Sequence, residues 1–123
     1  MNIYKKLFDD LHNSNYKEKS EFKKFFLYSK RNMIIIFFIQ SSKSATLENI
    51  CLNIYPKIIS RSTIQNILNN GVKKGFFEKK INTDDKRVKS YSLSPSAKET
   101  LEEWINNQKK IFNNLNNNIK LVC

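Results

Sequence analysis

Apolar positions recur at helical spacing along most of this chain and change to strand-like spacing only between residues 76 and 93. At the start, Ile3, Tyr4, Leu7, Phe8 and Leu11 form one stripe of a first helix, which Asn13, Ser14 and Asn15 interrupt. The pattern predicts a second helix over residues 16–28, with Phe22, Phe25 and Phe26 on one face. Ser29 can cap a third over residues 30–40, whose run from Met33 to Ile39 demands burial on most sides. Residues 41–44 are polar and read as a loop. Thr46 can cap a fourth helix with Leu47, Ile50, Cys51 and Ile54 as its apolar face, and Pro56 stops it.

After the turn at residues 56–59, Ser60 can cap a fifth helix that reaches about residue 74. Ile64, Ile67, Leu68 and Val72 share one side of it; Ser62, Gln65, Asn66, Asn69 and Lys73 lie opposite. Gly75 ends it, because glycine takes a left-handed C-terminal conformation without a Cβ penalty. Residues 76–81 and 89–93 read as two strands, joined by a turn at residues 82–85 that leads at once into Lys86, Arg87 and Lys89. Two short helices joined by a turn, the second polar on its free side, make a helix-turn-helix, and a hairpin with a cationic tip adds a wing.

The last helix has strong start signals in Ser94 and Pro95, with Glu99, Glu102 and Glu103 toward its positive end. Leu101, Trp104, Ile105, Gln108, Ile111, Phe112, Leu115 and Ile119 continue an apolar stripe beyond what a small core requires. Such a face meets another helix, either the third helix of its own chain or a second copy, and the second copy is the preferred reading. The candidate dimer interface is Phe22, Phe25, Phe26, Trp104, Ile111, Phe112 and Leu115. For the aromatic segment before residue 30, core cover is the competing role. The fold class is mainly α with a small β-hairpin wing. It is expected as one winged helix-turn-helix domain, with dimerisation segments 1–29 and 94–123 around a DNA-binding core, 30–93.

Composition sharpens this. A chain of 123 residues with 40% hydrophobic content is long enough for one modest core. Its net charge of +11 calls for a polyanionic partner, nucleic acid before an anionic membrane surface. Residues 51–93 hold nine Lys/Arg against three Asp/Glu, whereas residues 94–123 hold four against three. The positive charge is therefore densest on the segment suspected of touching DNA. An alternative source of the Lys- and Asn-rich composition is an AT-rich genome.

Other classes fare badly. Cys51, Cys123 and a lone His12 make neither a disulfide framework nor a zinc site. The run from Met33 to Ile39 is far short of the roughly 20 residues that span a bilayer. With no signal-peptide core at the N-terminus, a cytoplasmic protein is the default. Asp84 and Asp85 are adjacent in a turn and do not converge on one reacting atom, and no phosphate-cradling glycine loop exists. No catalytic residue, metal site or cofactor is expected.

Residues Thr63 to Leu68, followed by Lys73-Lys74-Gly75-Phe76-Phe77, resemble the recognition helix and exit of MarR-type regulators, the multiple-antibiotic-resistance regulator family. Asp85-Lys86-Arg87, followed six residues later by Leu93-Ser94, resembles that family's wing signature, D-x-R and then L-T. The resemblance is good over residues 45–97 and reaches the flanking helices only in pattern. Gly71 stands where the family commonly has leucine, and Ser94 and Ala97 stand for its threonine and glycine. The segment from Cys51 to Thr63 is about three residues longer than the simplest helix-turn-helix. The resemblance implies a homodimer built from N- and C-terminal helices. It also implies that a small-molecule effector is to be considered, although no residue here marks its pocket.

These readings converge on a dimeric, sequence-specific, double-stranded DNA-binding regulator acting on an A·T-rich inverted repeat, with residues 60–74 in the major groove. Gln65 and Asn66 suit adenine edges, and Ser62 and Asn69 can reach neighbouring bases. Ser60 opens the helix and is counted among the DNA-binding residues, while Arg61, Thr63 and Lys73 are expected at phosphates. In the wing, residues 82–89, Arg87 is expected in a narrow minor groove beside Lys86 and Lys89, oriented by Asp85. The alternatives are an architectural DNA-binding protein with low sequence preference and a winged-helix protein-interaction module. A membrane-surface protein ranks last, because the basic residues do not lie on an amphipathic helix.

Overall fold

The structure, a computed structural model, describes residues 2–17 and 19–122, and side chains over 2–13 and 19–113. Along the chain run α1 (Ile3–Lys17), α2 (Glu21–Phe26), α3 (Lys30–Ser42), β1 (Ala45–Thr46), α4 (Leu47–Asn53), α5 (Arg61–Lys73), β2 (Phe77–Ile81), β3 (Lys89–Leu93) and α6 (Pro95–Val122).

Local chemistry explains most boundaries. The hydroxyls of Ser29, Thr46, Ser60 and Ser94 each accept the amide of the residue three further on, so four helices start where a side chain satisfies an orphan N–H. Gly75 ends the α5 segment at φ 80°, a conformation that a β-carbon would penalise.

Two N-terminal boundaries depart from expectation. The first helix does not stop at Asn13 but continues to Lys17. Asn and Ser each cost a helix interior only about half a kcal/mol, and no Gly or Pro stands there. The second helix accordingly starts late and has six residues, its entry set by the Ser20 hydroxyl, which accepts the Lys23 amide at 3.2 Å. Farther on, Ser41 and Ser42 belong to α3 and not to a loop.

The sheet has three strands in the order β1-β3-β2, both pairings antiparallel. Phe77 faces Leu93 at the base of the hairpin and Ile81 faces Lys89 toward its tip. The two-residue β1 places Ala45 opposite Tyr91 and Thr46 opposite Ser90, a strand too short for any alternation to announce it.

Packing divides the chain into two compact units, Phe25–Lys98 and the pair of segments Met1–Lys24 and Glu99–Cys123. In the first unit Phe26, Ile35, Ile36, Ile39, Ile50, Ile64, Leu68 and Leu93 are fully enclosed. The Phe25 ring lies 5.1 Å from that of Phe76 and meets Phe77 edge-on at 5.8 Å, and Phe26 meets Phe37 edge-on at 5.4 Å. Helix α3 is buried on one side only: Ile34 and Phe37 remain 37% and 38% exposed.

In the second unit, Gln108 Nε2 of α6 donates to Asp10 Oδ2 of α1 at 3.0 Å, joining helices from opposite ends of the chain. Of the predicted stripe of α1, Tyr4, Phe8 and Leu11 are exposed, whereas Ile3 and Leu7 are half-buried. Among the described residues no helix is long and apolar enough to cross a membrane.

The candidate interface residues separate into two groups. Phe22, Phe25 and Phe26 are buried within a single chain, so core cover and not a partner accounts for them. Trp104 and Ile111 are half-buried and Phe112 is exposed. The side chain of Leu115 lies outside those described.

Candidate nucleic-acid interface

Helix α5 buries Ile64, Leu68 and Gly71 and leaves Ser62, Asn66, Asn69, Asn70 and Lys73 exposed, as its periodicity requires. At its first turn Ser60 Oγ accepts the Thr63 amide at 3.2 Å and donates to Thr63 Oγ1 at 2.9 Å. Ser60 thus acts as the cap, with its hydroxyl occupied by the helix it starts. Gln65 Nε2 donates to Asn69 Oδ1 at 2.9 Å, one turn along, aligning the two amides on one side of the helix.

Arg61 differs from expectation. Its guanidinium grips the Glu48 carboxylate of α4 with both terminal nitrogens, Nη1 at 3.3 Å. The hydrogen bond and the charge of Arg61 together hold the Glu48 carboxyl below its ordinary pKa and raise that of the guanidinium. The cation expected at a phosphate is therefore engaged by an acid that no periodic spacing points to, 13 residues away.

The wing is braced by side chains on its own backbone. Asn82 Oδ1 accepts the amides of Asp84 and Asp85 at 2.8 and 3.2 Å, and the Asn82 and Val88 backbones close the hairpin. Asp85 Oδ1 accepts both the Arg87 amide at 3.0 Å and Arg87 Nε at 3.1 Å, and Oδ2 accepts Nη2 at 3.2 Å. The side chain of Arg87 is still 92% exposed. Asp85 orients Arg87 without removing it from solvent, and the hydrogen bonds from Arg87 hold the Asp85 carboxyl below its ordinary range.

Helix and wing share a groove of about 390 Å³, with Arg61, Gln65 and Asn69 on one wall and Arg87 and Lys89 on the other. Lys79 of β2 and Glu48 complete its charged lining, two residues absent from the expected set. Nothing periodic marks either one: Glu48 follows a helix cap, and Lys79 is one of two adjacent lysines in β2. Ser62, Asn66 and Lys73 are exposed on α5 outside this groove, and Lys86 is exposed in the wing. Thr63 lies on a different flank, beside the first turn of α3. Among the described residues no cluster of three or more His, Cys, Asp or Glu gathers that could hold a metal.

No family model matches the chain, and no curated protein matches it either. Solved structures do. FabT of Streptococcus pneumoniae, crystallised with DNA, matches with a TM-score of 0.65 and 19% identity, over 93% of this chain and 77% of its own. A MarR mutant from E. coli matches with a TM-score of 0.55 and 18% identity, over 91% and 83%. The fold is that of the MarR-type winged-helix proteins. Reduced AbfR bound to DNA carries the same likeness at a TM-score of 0.55 and 14% identity, over 98% of this chain and 94% of its own. At such identities the likeness is one of backbone. Because it spans nearly the whole chain, the MarR fold extends beyond the motif-bearing residues 45–97 into the flanking helices.

Proposed function

We propose that the chain is a double-stranded DNA-binding transcriptional regulator that acts as a homodimer. The observation that carries this reading is the shared groove, in which the amide-bearing side of α5 faces the cations of the wing. With α5 in the major groove, Gln65 and Asn66 offer paired donors and acceptors to adenine edges, and Ser62 and Asn69 reach adjacent bases. Thr63 and Lys73 sit at phosphates. Arg87 enters a narrow, A·T-rich minor groove, with Lys86 and Lys89 on its walls. Arg61 joins them by exchanging the Glu48 carboxylate for a phosphate, since both anions suit a guanidinium fork.

The homodimer reading draws on the exposed Tyr4, Phe8, Leu11 and Phe112, apolar side chains left open at the two ends of the chain. FabT and AbfR, both solved with DNA, support the choice of partner. Regulation follows from occupancy: a bound dimer blocks or assists polymerase at a promoter. The second reading, an architectural protein with little sequence preference, is favoured by the +11 net charge.

Selection from random duplex DNA by the purified protein at two salt concentrations separates them. One inverted-repeat motif that survives higher salt supports the sequence-specific regulator. Binding without a motif that falls steeply with salt favours the architectural protein, because the contacts are then to phosphate alone. Absence of duplex binding at low salt overturns both.

A further inference from the structure

A second cationic surface borders α5 on the side away from the wing. Tyr28, Lys30 and Arg31, at the start of α3, line a cavity of about 390 Å³ with Thr63 and Ile67 of α5. All three side chains from the α3 end are exposed, and no carboxylate lines this cavity. Neither Lys30 nor Arg31 is engaged by an acid among the described residues.

Helical geometry fixes where this surface lies. At about 100° per residue, Thr63 and Ile67 fall roughly 180° around α5 from the groove-lining Arg61, Gln65 and Asn69. The buried Ile64, Leu68 and Gly71 lie between the two flanks on one side, and the exposed Ser62, Asn66 and Lys73 on the other. A helix whose free face points at bases lies between two phosphate strands, since the major groove is only about 12 Å wide. The wing, beyond the Gln65 and Asn69 edge of the base-facing side, meets one strand, and the α3 turn meets the other.

The α3 turn is also held in place. Ser29 Oγ accepts the Asn32 amide at 3.2 Å, and the buried Asn32 Nδ2 donates to the Phe25 carbonyl at 2.8 Å. Phe25 in turn packs on Phe76 and Phe77. Lys30 and Arg31 therefore project from a turn tied to the hydrophobic core, which lowers the ordering cost of a contact.

We infer that Tyr28, Lys30 and Arg31 form a phosphate-holding surface that grips the DNA strand opposite the one under the wing. This rests on the DNA-binding reading above and adds three contact residues to it. Phosphate contacts fix register without reading sequence, so the surface contributes affinity and orientation, not specificity.

The test is salt titration of duplex binding by full-length wild type, Lys30→Gln/Arg31→Gln, Tyr28→Phe and Arg87→Gln, on several duplexes of unrelated sequence. The double variant should flatten the slope of log K against log salt by about two and weaken every duplex by a similar factor. Tyr28→Phe should weaken every duplex by a smaller common factor. The two single variants, Lys30→Gln and Arg31→Gln, should each flatten the slope by about one; they decide the matter if the double variant does not fold. An unchanged slope in folded variants, with Arg87→Gln still weakened, overturns this surface and leaves DNA binding standing. If wild type binds no duplex, the DNA-binding reading fails and this inference fails with it.

Discussion

The ring of Phe77 fills the space beside Gly71 that any side chain there would need: a β-carbon would stand 2.2 Å from Cδ2 and 2.4 Å from Cε2. The glycine of α5 and the first residue of β2 thus form one packing unit, with Phe77 in the volume that a leucine at position 71 would otherwise occupy. Gly71→Ala should destabilise the protein by about 1–3 kcal/mol through overpacking, although alanine favours a helix by about 1 kcal/mol. Urea denaturation measures it. In a double-mutant cycle, Gly71→Leu combined with Phe77→Ala should cost less than the sum of the single changes. Additive losses would mean that the two positions do not share this space.

Glu48 holds Arg61 within the groove and adds negative charge where phosphate would approach. Glu48→Gln should tighten duplex binding and steepen its salt dependence by about one phosphate contact. Weaker binding of this variant in fluorescence anisotropy would show that Glu48 serves DNA by aligning Arg61.

The same pair has a pH signature. Glu48 titrates below its ordinary value because Arg61 hydrogen-bonds its charged form. The pair's contribution to stability is therefore complete above that ordinary value and is lost as pH falls through the lower folded one. A side-chain carboxyl NMR titration should find the Glu48 midpoint moved up in Arg61→Gln, back toward 4.5.

Asp85 acts on both backbone and side chain of Arg87. Asp85→Ala removes a negative charge from the wing, which by charge alone would strengthen DNA binding. It also frees Arg87 and the turn, so affinity for A·T-rich duplex should fall, with less loss on G·C-rich duplex. Stronger binding to both would remove Asp85 from an orienting role.

Asn32 is a buried amide whose donor serves the Phe25 carbonyl. Asn32→Leu should cost about 1–3 kcal/mol by leaving that carbonyl only the long 3.4 Å hydrogen bond from the Tyr28 amide, read as a lower Tm. An unchanged Tm would mean that the Tyr28 amide or water satisfies the Phe25 oxygen without Asn32.

Much of this was legible because it is local. Ser29, Thr46, Ser60 and Ser94 act over three residues, and Gly75 over one, so residue type at one position suffices. Alternation placed β2 and β3 to within a residue. Features depending on distant partners were not legible: β1 exists only because Tyr91 and Ser90 lie beside it, and Glu48 meets Arg61 across the helix-turn-helix. The aromatic triplet was ambiguous for the same reason. Phe25 and Phe26 have an apolar pattern that fits a partner or a core equally well, and only their contacts with Phe76, Phe77 and Phe37 decide for the core. The candidate site divided likewise. Its amides and wing cations follow from pattern, whereas the engaged state of Arg61 and the place of Lys79 require the fold.

The edge strand of the hairpin, β2, is anchored only at its root. Phe77, Tyr91 and Leu93 are buried there, whereas the rest of β2 and the turn beyond it contribute nothing to the core. Reach is thereby separated from folding: residues can be gained or lost near Asn82 to Val88 while the root stays seated. Such a chain can drift toward different targets by trimming or extending one arm, leaving untouched the residues that make it fold.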